Sequence, residues 1–349
     1  MEKTLVIGSK SIGPGQPAYI IAEMSANHAK EYDRAVEIIK AAKNAGADCI
    51  KVQTYTPDTL TLDSNKDHFL IKKGTWSGER LYELYQKACM PWEWQGRLQA
   101  EANRIGLDFL STVYDRSSVD FLESLGVNCY KIASFELVDI PLLRYVASKQ
   151  KPILLSTGMA NLGEIERAVN AIREQGNEHL CLLKCTSDYP ADLGAMNLRT
   201  IPNMAETFGV PVGFSDHSLG SLAAVVAVSQ GARVIEKHFT ISRAQKSPDS
   251  TFSMEPEEFK AMVADIRAAE KALGKVTYEQ TESEIANKRF RKSIIVTKDI
   301  KMGEAFTGAN VGVLRPSDGL EPRYYDEIIQ KKARRDITRG TPLQWDLIE

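Results

Sequence analysis

No apolar run in this sequence approaches the roughly 18–20 residues that span a bilayer. Its N-terminus, Met1-Glu2-Lys3-Thr4-Leu5-Val6-Ile7-Gly8, carries no apolar signal-peptide segment, so the expectation is a cytoplasmic protein. Cysteine is scarce. Cys49, Cys89, Cys129, Cys181 and Cys185 are odd in number, scattered and without CxxC spacing, which argues against a disulfide framework. Cys181 and Cys185 stand in an apolar stretch and read as core thiols. An excess of charge of one sign is also missing. The 44 Lys+Arg and 46 Asp+Glu give a formal net charge of −2, with no electrostatic footprint for nucleic acid. What is present is ordinary globular material: 43% hydrophobic residues, too many for a disordered chain, over 349 positions that suit one large domain and one small one.

From residue 18 to about 273, short apolar runs alternate with helix-length amphipathic segments. Strands are expected at 18–23, 49–53, 107–111, 129–134, 152–156, 180–185, 210–215 and 233–238. Helices are expected at 32–45, 161–175, 219–230 and 255–273, each closed by a glycine just past its last turn. Eight strand–helix units predict an α/β fold of the (β/α)8 TIM-barrel type. An open doubly wound sheet is the runner-up, and no GxGxxG follows the first strand to support it. The connection from Thr54 to Arg104 is unusually long and predicts a functional surface excursion. The expected division is a barrel over 1–276, a charged linker over 277–291 and a small β-rich domain over 292–349. The last segment contains an internal echo: Lys298-Asp299-Ile300-Lys301-Met302-Gly303 against Arg335-Asp336-Ile337-Thr338-Arg339-Gly340. A unit that small is expected to dock onto another surface.

In such a barrel the C-terminal strand ends line the active site. Those ends are polar throughout: Glu23 with Asn27 and His28, Lys51 and Gln53, Ser111 and Thr112, Lys131 with Ser134 and Glu136, Ser156 and Thr157, Lys184 with Thr186 and Ser187, Ser215 with Asp216 and His217, Glu236 and His238. Side chains alternate with period two, so Lys51 shares a face with Gln53, and Glu236 with His238. One strand-end lysine alone reads as a solvated cation. Lys51, Lys131 and Lys184 together, with serine hydroxyls, make a phosphate and carboxylate site. A lone histidine reads as structural, but His217 and His238 end adjacent strands at one rim. Two imidazoles cannot close a structural zinc site, and suit an open Mn²⁺ or Mg²⁺ ion acting as Lewis acid. Glu23 and Glu136 are both acid/base candidates, and spacing does not choose between them. Trp76, Tyr82, Tyr85, Trp92 and Trp94 in the excursion read as packing.

At these residues the sequence resembles the sialic acid synthase family. The resemblance rests on Ile20-Ile21-Ala22-Glu23-Met24-Ser25-Ala26-Asn27-His28, Lys51-Val52-Gln53-Thr54, Tyr130-Lys131-Ile132-Ala133-Ser134, Ser156-Thr157-Gly158-Met159, Ser215-Asp216-His217 and Glu236-Lys237-His238-Phe239-Thr240. It covers almost the whole chain, and the C-terminal segment resembles the antifreeze-like (SAF) domain of these enzymes. The resemblance implies a transferase that condenses phosphoenolpyruvate with an open-chain N-acetylated amino sugar and releases phosphate. It implies that His217 and His238 hold a divalent metal, with Mn²⁺ expected and Mg²⁺ or Co²⁺ as alternatives. Lys51, Lys131, Ser134, Ser156 and Ser187 match positions around the phosphate and carboxylate of phosphoenolpyruvate. Gln53, Tyr189 and Asp249 match positions around the sugar or its loop, and Glu23 a carboxylate near the reacting carbons. Thr112 and Glu136 are counted with this set as strand-end groups. A domain-swapped homodimer is implied, in which Arg315 reaches over the acetamido group in a partner subunit.

Within the family, Tyr55-Thr56-Pro57-Asp58-Thr59, Leu81-Tyr82-Glu83-Leu84-Tyr85 and Pro91-Trp92-Glu93-Trp94 resemble the pseudaminic acid branch, whose sugar is 2,4-diacetamido-2,4,6-trideoxy-L-altrose. Ser187-Asp188 and Lys237 depart from the neuraminate type. A 6-deoxy sugar exposes a methyl group that an apolar excursion would suit. The alternatives are a neuraminate or legionaminate synthase using an N-acetylmannosamine-type sugar, a non-catalytic carbohydrate-binding relative, and a lyase with a Schiff-base lysine. Intact Glu23, Lys51, Lys131, His217, His238 and Arg315 count against the non-catalytic relative, and the histidine pair against the lyase.

Overall fold

A computed structural model describes residues 4–349. The chain divides into two units, Met1–Gly274 and Lys275–Glu349. The first begins with an antiparallel hairpin, β1 (Leu5–Ile7) and β2 (Lys10–Ile12). Eight parallel strands then close a barrel: β3 (Tyr19–Glu23), β4 (Cys49–Thr54), β5 (Asp108–Val113), β6 (Tyr130–Ile132), β7 (Ile153–Ser156), β8 (Leu180–Cys185), β9 (Val212–Asp216) and β10 (Val234–His238). β10 pairs back onto β3, which sets His238 opposite Glu23. The expected barrel is therefore present. The helices are α1 (Tyr32–Asn44), α2 (Pro57–Leu60), α3 (Leu81–Ala88), α4 (Trp92–Arg104), α5 (Arg116–Ser124), α6 (Ile140–Ala147), α7 (Leu162–Arg173), α8 (Thr200–Phe208), α9 (Leu222–Ser229) and α10 (Pro256–Leu273). None is long and apolar enough to cross a membrane among the described residues.

Boundaries move for local reasons. The fourth barrel strand stops at Ile132, because Ser134–Val138 turns into a 3-10 helix that faces Ser134 and Glu136 to the barrel mouth. The helix expected from 219 starts at Leu222, because Gly220 takes a left-handed φ of 74° in a tight turn after β9. Asn161 starts α7 where expected: its side chain accepts from the Glu164 N–H, while Glu164 accepts from the Asn161 N–H.

Period two divides each strand between two environments. Outward residues such as Ile20, Ile50, Tyr130, Leu155, Leu182, Phe214 and Ile235 join one apolar core with the helices. Inward residues form two layers. Tyr19, Ile21, Cys49, Leu110, Cys129, Leu154, Cys181, Leu183 and Val234 fill the lower barrel, and Leu5, Ile7 and Ile12 of the hairpin join them. The upper inward positions are polar. At Gly213 a β-carbon would sit 2.5 Å from the Val234 carbonyl oxygen and 2.7 Å from Leu183 Cδ2, so only glycine fits there.

In the second unit β11 (Ser293–Val296) pairs antiparallel with β12 (Val311–Leu314) over a core that includes Ile294, Val296, Phe306, Val311 and Leu343. The internal echo is a structural two-fold. Ile300 and Ile337 exchange backbone bonds of 2.9 and 2.8 Å. Asp299 accepts from the Arg339 N–H at 2.8 Å, and Asp336 accepts from the Met302 N–H at 2.8 Å.

Candidate active site

The upper inward layer opens into a cavity of about 510 Å³ at the C-terminal strand ends. Glu23, Lys51, Gln53, Thr112, Lys131, Ser134, Glu136, Ser156, Tyr189, His217, His238 and Asp249 all line it. Twelve of the fourteen expected site residues therefore share one cavity. Ser187 is not among the lining residues; its hydroxyl is 3.8 Å from Cys185 Sγ. A β-carbon at Gly158 would lie 2.5 Å from both the Ser134 and the Ser187 hydroxyl oxygens, so these groups converge on the space that glycine leaves. Arg315 lies in the second unit, exposed, just past β12. Lys184 is a correction. The inward parity of β8 runs Cys181, Leu183, Cys185, so Lys184 points outward, bonds the Cys185 carbonyl at 2.8 Å and is no part of the cavity.

Buried charges form the floor. Lys51 Nζ lies 2.8 Å from Glu23 Oε2 and 3.4 Å from Glu236 Oε1, and donates to Thr112 Oγ1 at 3.0 Å. Lys131 Nζ donates to Ser156 Oγ at 2.7 Å and to the Ile132 carbonyl at 2.9 Å, with Glu236 Oε1 at 4.0 Å. Burial alone would push the Glu236 carboxyl up, but Lys131, Lys51 and His217 together hold it below the usual carboxylate range. Glu23 fares differently. Burial raises it to about 7, with Lys51 opposing and Glu236 adding to the rise. Glu136 is also raised to about 7 by burial, and its Oε2 has no partner. Gln53 donates to Glu23 Oε1 and Ser25 Oγ, both at 2.9 Å, and Ser25 donates to Asp249 Oδ2 at 2.5 Å. Burial raises the Asp249 carboxyl, though these bonds oppose it.

The His217 and His238 ring centroids are 5.5 Å apart. His217 Nδ1 lies 2.9 Å from the Thr186 carbonyl, which can only accept, so Nδ1 carries a proton and Nε2 is the nitrogen left for a cation; burial opposes protonation of this ring, but Cys185, that carbonyl and Glu236 raise it above its ordinary pKa. His238 Nδ1 is buried without a partner, and burial holds this imidazole well below its ordinary pKa, hence neutral. Two imidazoles at one cavity wall, each with a ring nitrogen to offer, fit a divalent ion. Among the described residues no three His, Cys, Asp or Glu side chains converge as a metal-binding group, so any such site is open to water and substrate oxygens. Tyr189 stacks on His217 at 4.2 Å between centroids, and Phe252 stands 5.0 Å from His238.

The excursion builds an apolar wall, with Trp76 packed on Tyr189 and Phe252. Leu60 of α2, Ile71, Trp76, and Leu81, Leu84, Tyr85 and Ala88 of α3 face the cavity. The Trp76 indole donates to the Pro248 carbonyl at 3.0 Å, and Thr75 bonds the Tyr189 carbonyl. The packing expectation for the excursion aromatics is therefore half corrected. Trp92 packs tilted on Phe121 and Trp94 edge-on to Tyr32, and neither is a lining residue, but Trp76 and Tyr85 line the cavity. Cys185, read as a core thiol, also lines it, 3.8 Å from His217 Nδ1. Burial raises that thiol, but His217, with Ser134 and Lys131 adding to it, brings it down to about 7.

Sequence reasoning set Glu236 and Ser215 at site-lining strand ends and Ser25 and Tyr55 in family motifs without assigning them chemistry, and it did not single out Tyr114; all five line the cavity. The shared face already read from period two puts Glu236 in the cavity beside His238; what it does not tell is that Lys51 and Lys131 both reach its carboxylate.

A model of the NeuB family matches residues 38–278, more than half of the chain. The chain belongs to the NeuB family. A SAF domain model matches residues 291–349 of this NeuB-family chain. The chain is 47% identical over 326 residues to a pseudaminic acid synthase of Campylobacter jejuni subsp. jejuni serotype O:2, covering 93% of this chain and 95% of the relative. It is 43% identical over 335 residues to a pseudaminic acid synthase of Helicobacter pylori, covering 96% and 98%. Among solved structures, an N-acetylneuraminic acid synthetase from Leptospira borgpetersenii in complex with citrate superposes with a TM-score of 0.74 at 30% identity, over 82% of this chain and 95% of that one.

Proposed function

We propose that the chain condenses phosphoenolpyruvate with 2,4-diacetamido-2,4,6-trideoxy-L-altrose, the reaction of a pseudaminic acid synthase. The observation that carries this reading is one cavity with two buried lysines and a carboxyl ionising near pH 7 on its floor, and an apolar wall facing them. The identity to relatives named as pseudaminic acid synthases supports the choice of sugar.

Lys51 and Lys131 offset the negative charge of phosphoenolpyruvate, and Ser134, Ser156 and Ser187 donate to its oxygens around the space at Gly158. His217 and His238 would hold a divalent ion, Mn²⁺ in this reading. Bound there, the ion polarises the sugar aldehyde as a Lewis acid. The excursion wall seats the methyl carbons of the sugar, while Gln53 and the Asp249 loop hold its hydroxyls. C3 of phosphoenolpyruvate attacks the aldehyde carbon, and the aldehyde oxygen takes up a proton to become an alcohol. Water adds at C2, and phosphate leaves by C–O cleavage, giving the 2-keto acid. Glu23, close to neutral pH in its ionisation, accepts the proton of that water. Arg315 acts from a second copy in a domain-swapped homodimer, over the acetamido group.

The test is phosphate release from phosphoenolpyruvate with Mn²⁺. It compares the L-altro diacetamido sugar with N-acetylmannosamine and with the 2,4-diacetamido-6-deoxy mannose-type sugar. Release with the L-altro sugar alone supports the reading. Release only with another sugar replaces the substrate, and no release with any of them overturns the enzyme reading.

A further inference from the structure

His217 and His238 stand on different strands, and a buried side chain between those strands ties their neighbours together. Lys237 precedes His238 on β10 and pairs in register with Asp216, which precedes His217 on β9. By period two both point away from the cavity, and both are fully buried. Lys237 Nζ donates to Asp216 Oδ2 at 2.7 Å, to the Ser218 carbonyl at 2.6 Å and to the Gly220 carbonyl at 3.0 Å. Asp216 Oδ1 accepts from the Ser218 N–H at 2.8 Å and the Ser218 hydroxyl at 2.7 Å. The ammonium spends its three protons on residues that flank His217, and the carboxylate is satisfied at both oxygens. A buried pair so completed gives little net stability over an apolar one, so its use is to fix geometry.

We propose that Lys237 is a positioning residue which, through Asp216, Ser218 and Gly220, fixes where His217 stands relative to His238 and so sets the affinity of the histidine pair for a divalent cation. The inference rests on the metal reading given under Proposed function. Nothing in it requires Lys237 to touch metal or substrate. The carbonyls of Ser218 and Gly220 bend the chain out of β9 straight after His217, and a loop held this way cannot carry the imidazole away from the barrel wall. Groups that orient a ligand from behind are worth about 10–100-fold in metal affinity.

The experiment measures Mn²⁺ binding to the metal-free full chain by electron paramagnetic resonance of the free ion. The wild type is compared with His217→Ala, Lys237→Arg, Asp216→Asn and the double variant Lys237→Met/Asp216→Asn. The double variant removes both charges together, so neither is left buried and unpaired. Expected are loss of binding in His217→Ala, affinity weaker by about 10–100-fold in the double variant, a smaller loss in Asp216→Asn, and near-wild-type affinity in Lys237→Arg, which keeps the charge. At saturating Mn²⁺ the kcat of the double variant should recover, which general damage to the fold would not allow. Wild-type affinity in a folded double variant overturns the proposal. If that variant does not fold, wild-type affinity in Asp216→Asn overturns it instead. Undiminished binding in His217→Ala sinks the metal reading and this inference with it, whereas loss there without loss in the folded double variant sinks the inference alone.

Discussion

Lys51 Nζ sits 2.8 Å from Glu23 Oε2 at the floor of the cavity, and the same ammonium is 3.4 Å from Glu236 Oε1. One cation thus faces two buried carboxyls. Glu236 has a second lysine, Lys131, at 4.0 Å and stays ionised. Glu23 has none, and burial leaves its ionisation at about 7. A carboxyl so poised changes state at working pH, which is what a general base needs. Replacing Glu23 by Gln keeps the shape and removes the base. Turnover should fall about 10²–10⁴-fold, while phosphoenolpyruvate and Mn²⁺ still bind by calorimetry. Full phosphate release in Glu23→Gln would rule out this role and leave Glu136 as the candidate.

Glu23 gives a pH signature of opposite sign for rate and for stability, and Glu136 adds to the second. The rate needs Glu23 ionised, so kcat should rise as pH passes upward through about 7. Stability runs the other way. Glu23 and Glu136 ionise at their ordinary value of 4.5 in the unfolded chain and at about 7 in the folded one. Between those values the folded state binds more protons than the unfolded state, so stability falls as pH rises through the window. Thermal melts of the metal-free chain should show that slope, and Glu23→Gln/Glu136→Gln should flatten it. A slope that persists in the double variant would assign it to other groups.

The barrel was legible because parallel strands buried on both faces read as short apolar runs, and because glycines end the helices between them. Site residues were legible wherever strand ends and period two placed them, as for Lys51, Lys131 and His238. The same parity, applied to β8, would have turned Lys184 outward. What stayed hidden depends on contacts between elements far apart in the chain. Nothing local to Leu60, Ile71 or Trp76 says that the excursion folds back over the barrel mouth. That follows only from bonds such as Trp76 to Pro248, 172 residues away. That Cys185 lies beside His217, 32 residues away, is hidden for the same reason.

The excursion wall makes a prediction about which substrate it reads. Leu60 and Ile71 face the cavity and are only partly buried, so polar replacements there cost less stability than in the core. Ile71→Asn and Leu60→Asn should raise KM for the diacetamido sugar and leave KM for phosphoenolpyruvate unchanged, because the lysines and serines that hold the latter are untouched. An apolar contact of methyl size is worth about 1–3 kcal/mol of discrimination. The preference for a 6-deoxy sugar over its 6-hydroxy counterpart should shrink accordingly, read as a ratio of kcat/KM values. An equal rise in both KM values would mean that the wall supports the whole mouth rather than the sugar.

Gly158 offers a sharper test of where the phosphate lies. It has a φ of +27°, and a β-carbon there would come within 2.5 Å of the Ser134 and Ser187 hydroxyl oxygens, with the Ser134 β-carbon also in the way. Turning a hydroxyl clears an oxygen, but it does not move a β-carbon, so Gly158→Ala must shift the backbone of one of these segments. Overpacking of this kind costs about 1–3 kcal/mol. If Ser134 and Ser187 hold the phosphate with Lys131 and Ser156, the shift opens that ring of donors. KM for phosphoenolpyruvate should then rise while KM for the sugar stays in place, measured by steady-state phosphate release alongside a denaturant unfolding curve. The combination to look for is a stability loss together with a one-sided KM change. A stability loss with both KM values unmoved would place the phosphate elsewhere on the floor, nearer Lys51 and Thr112.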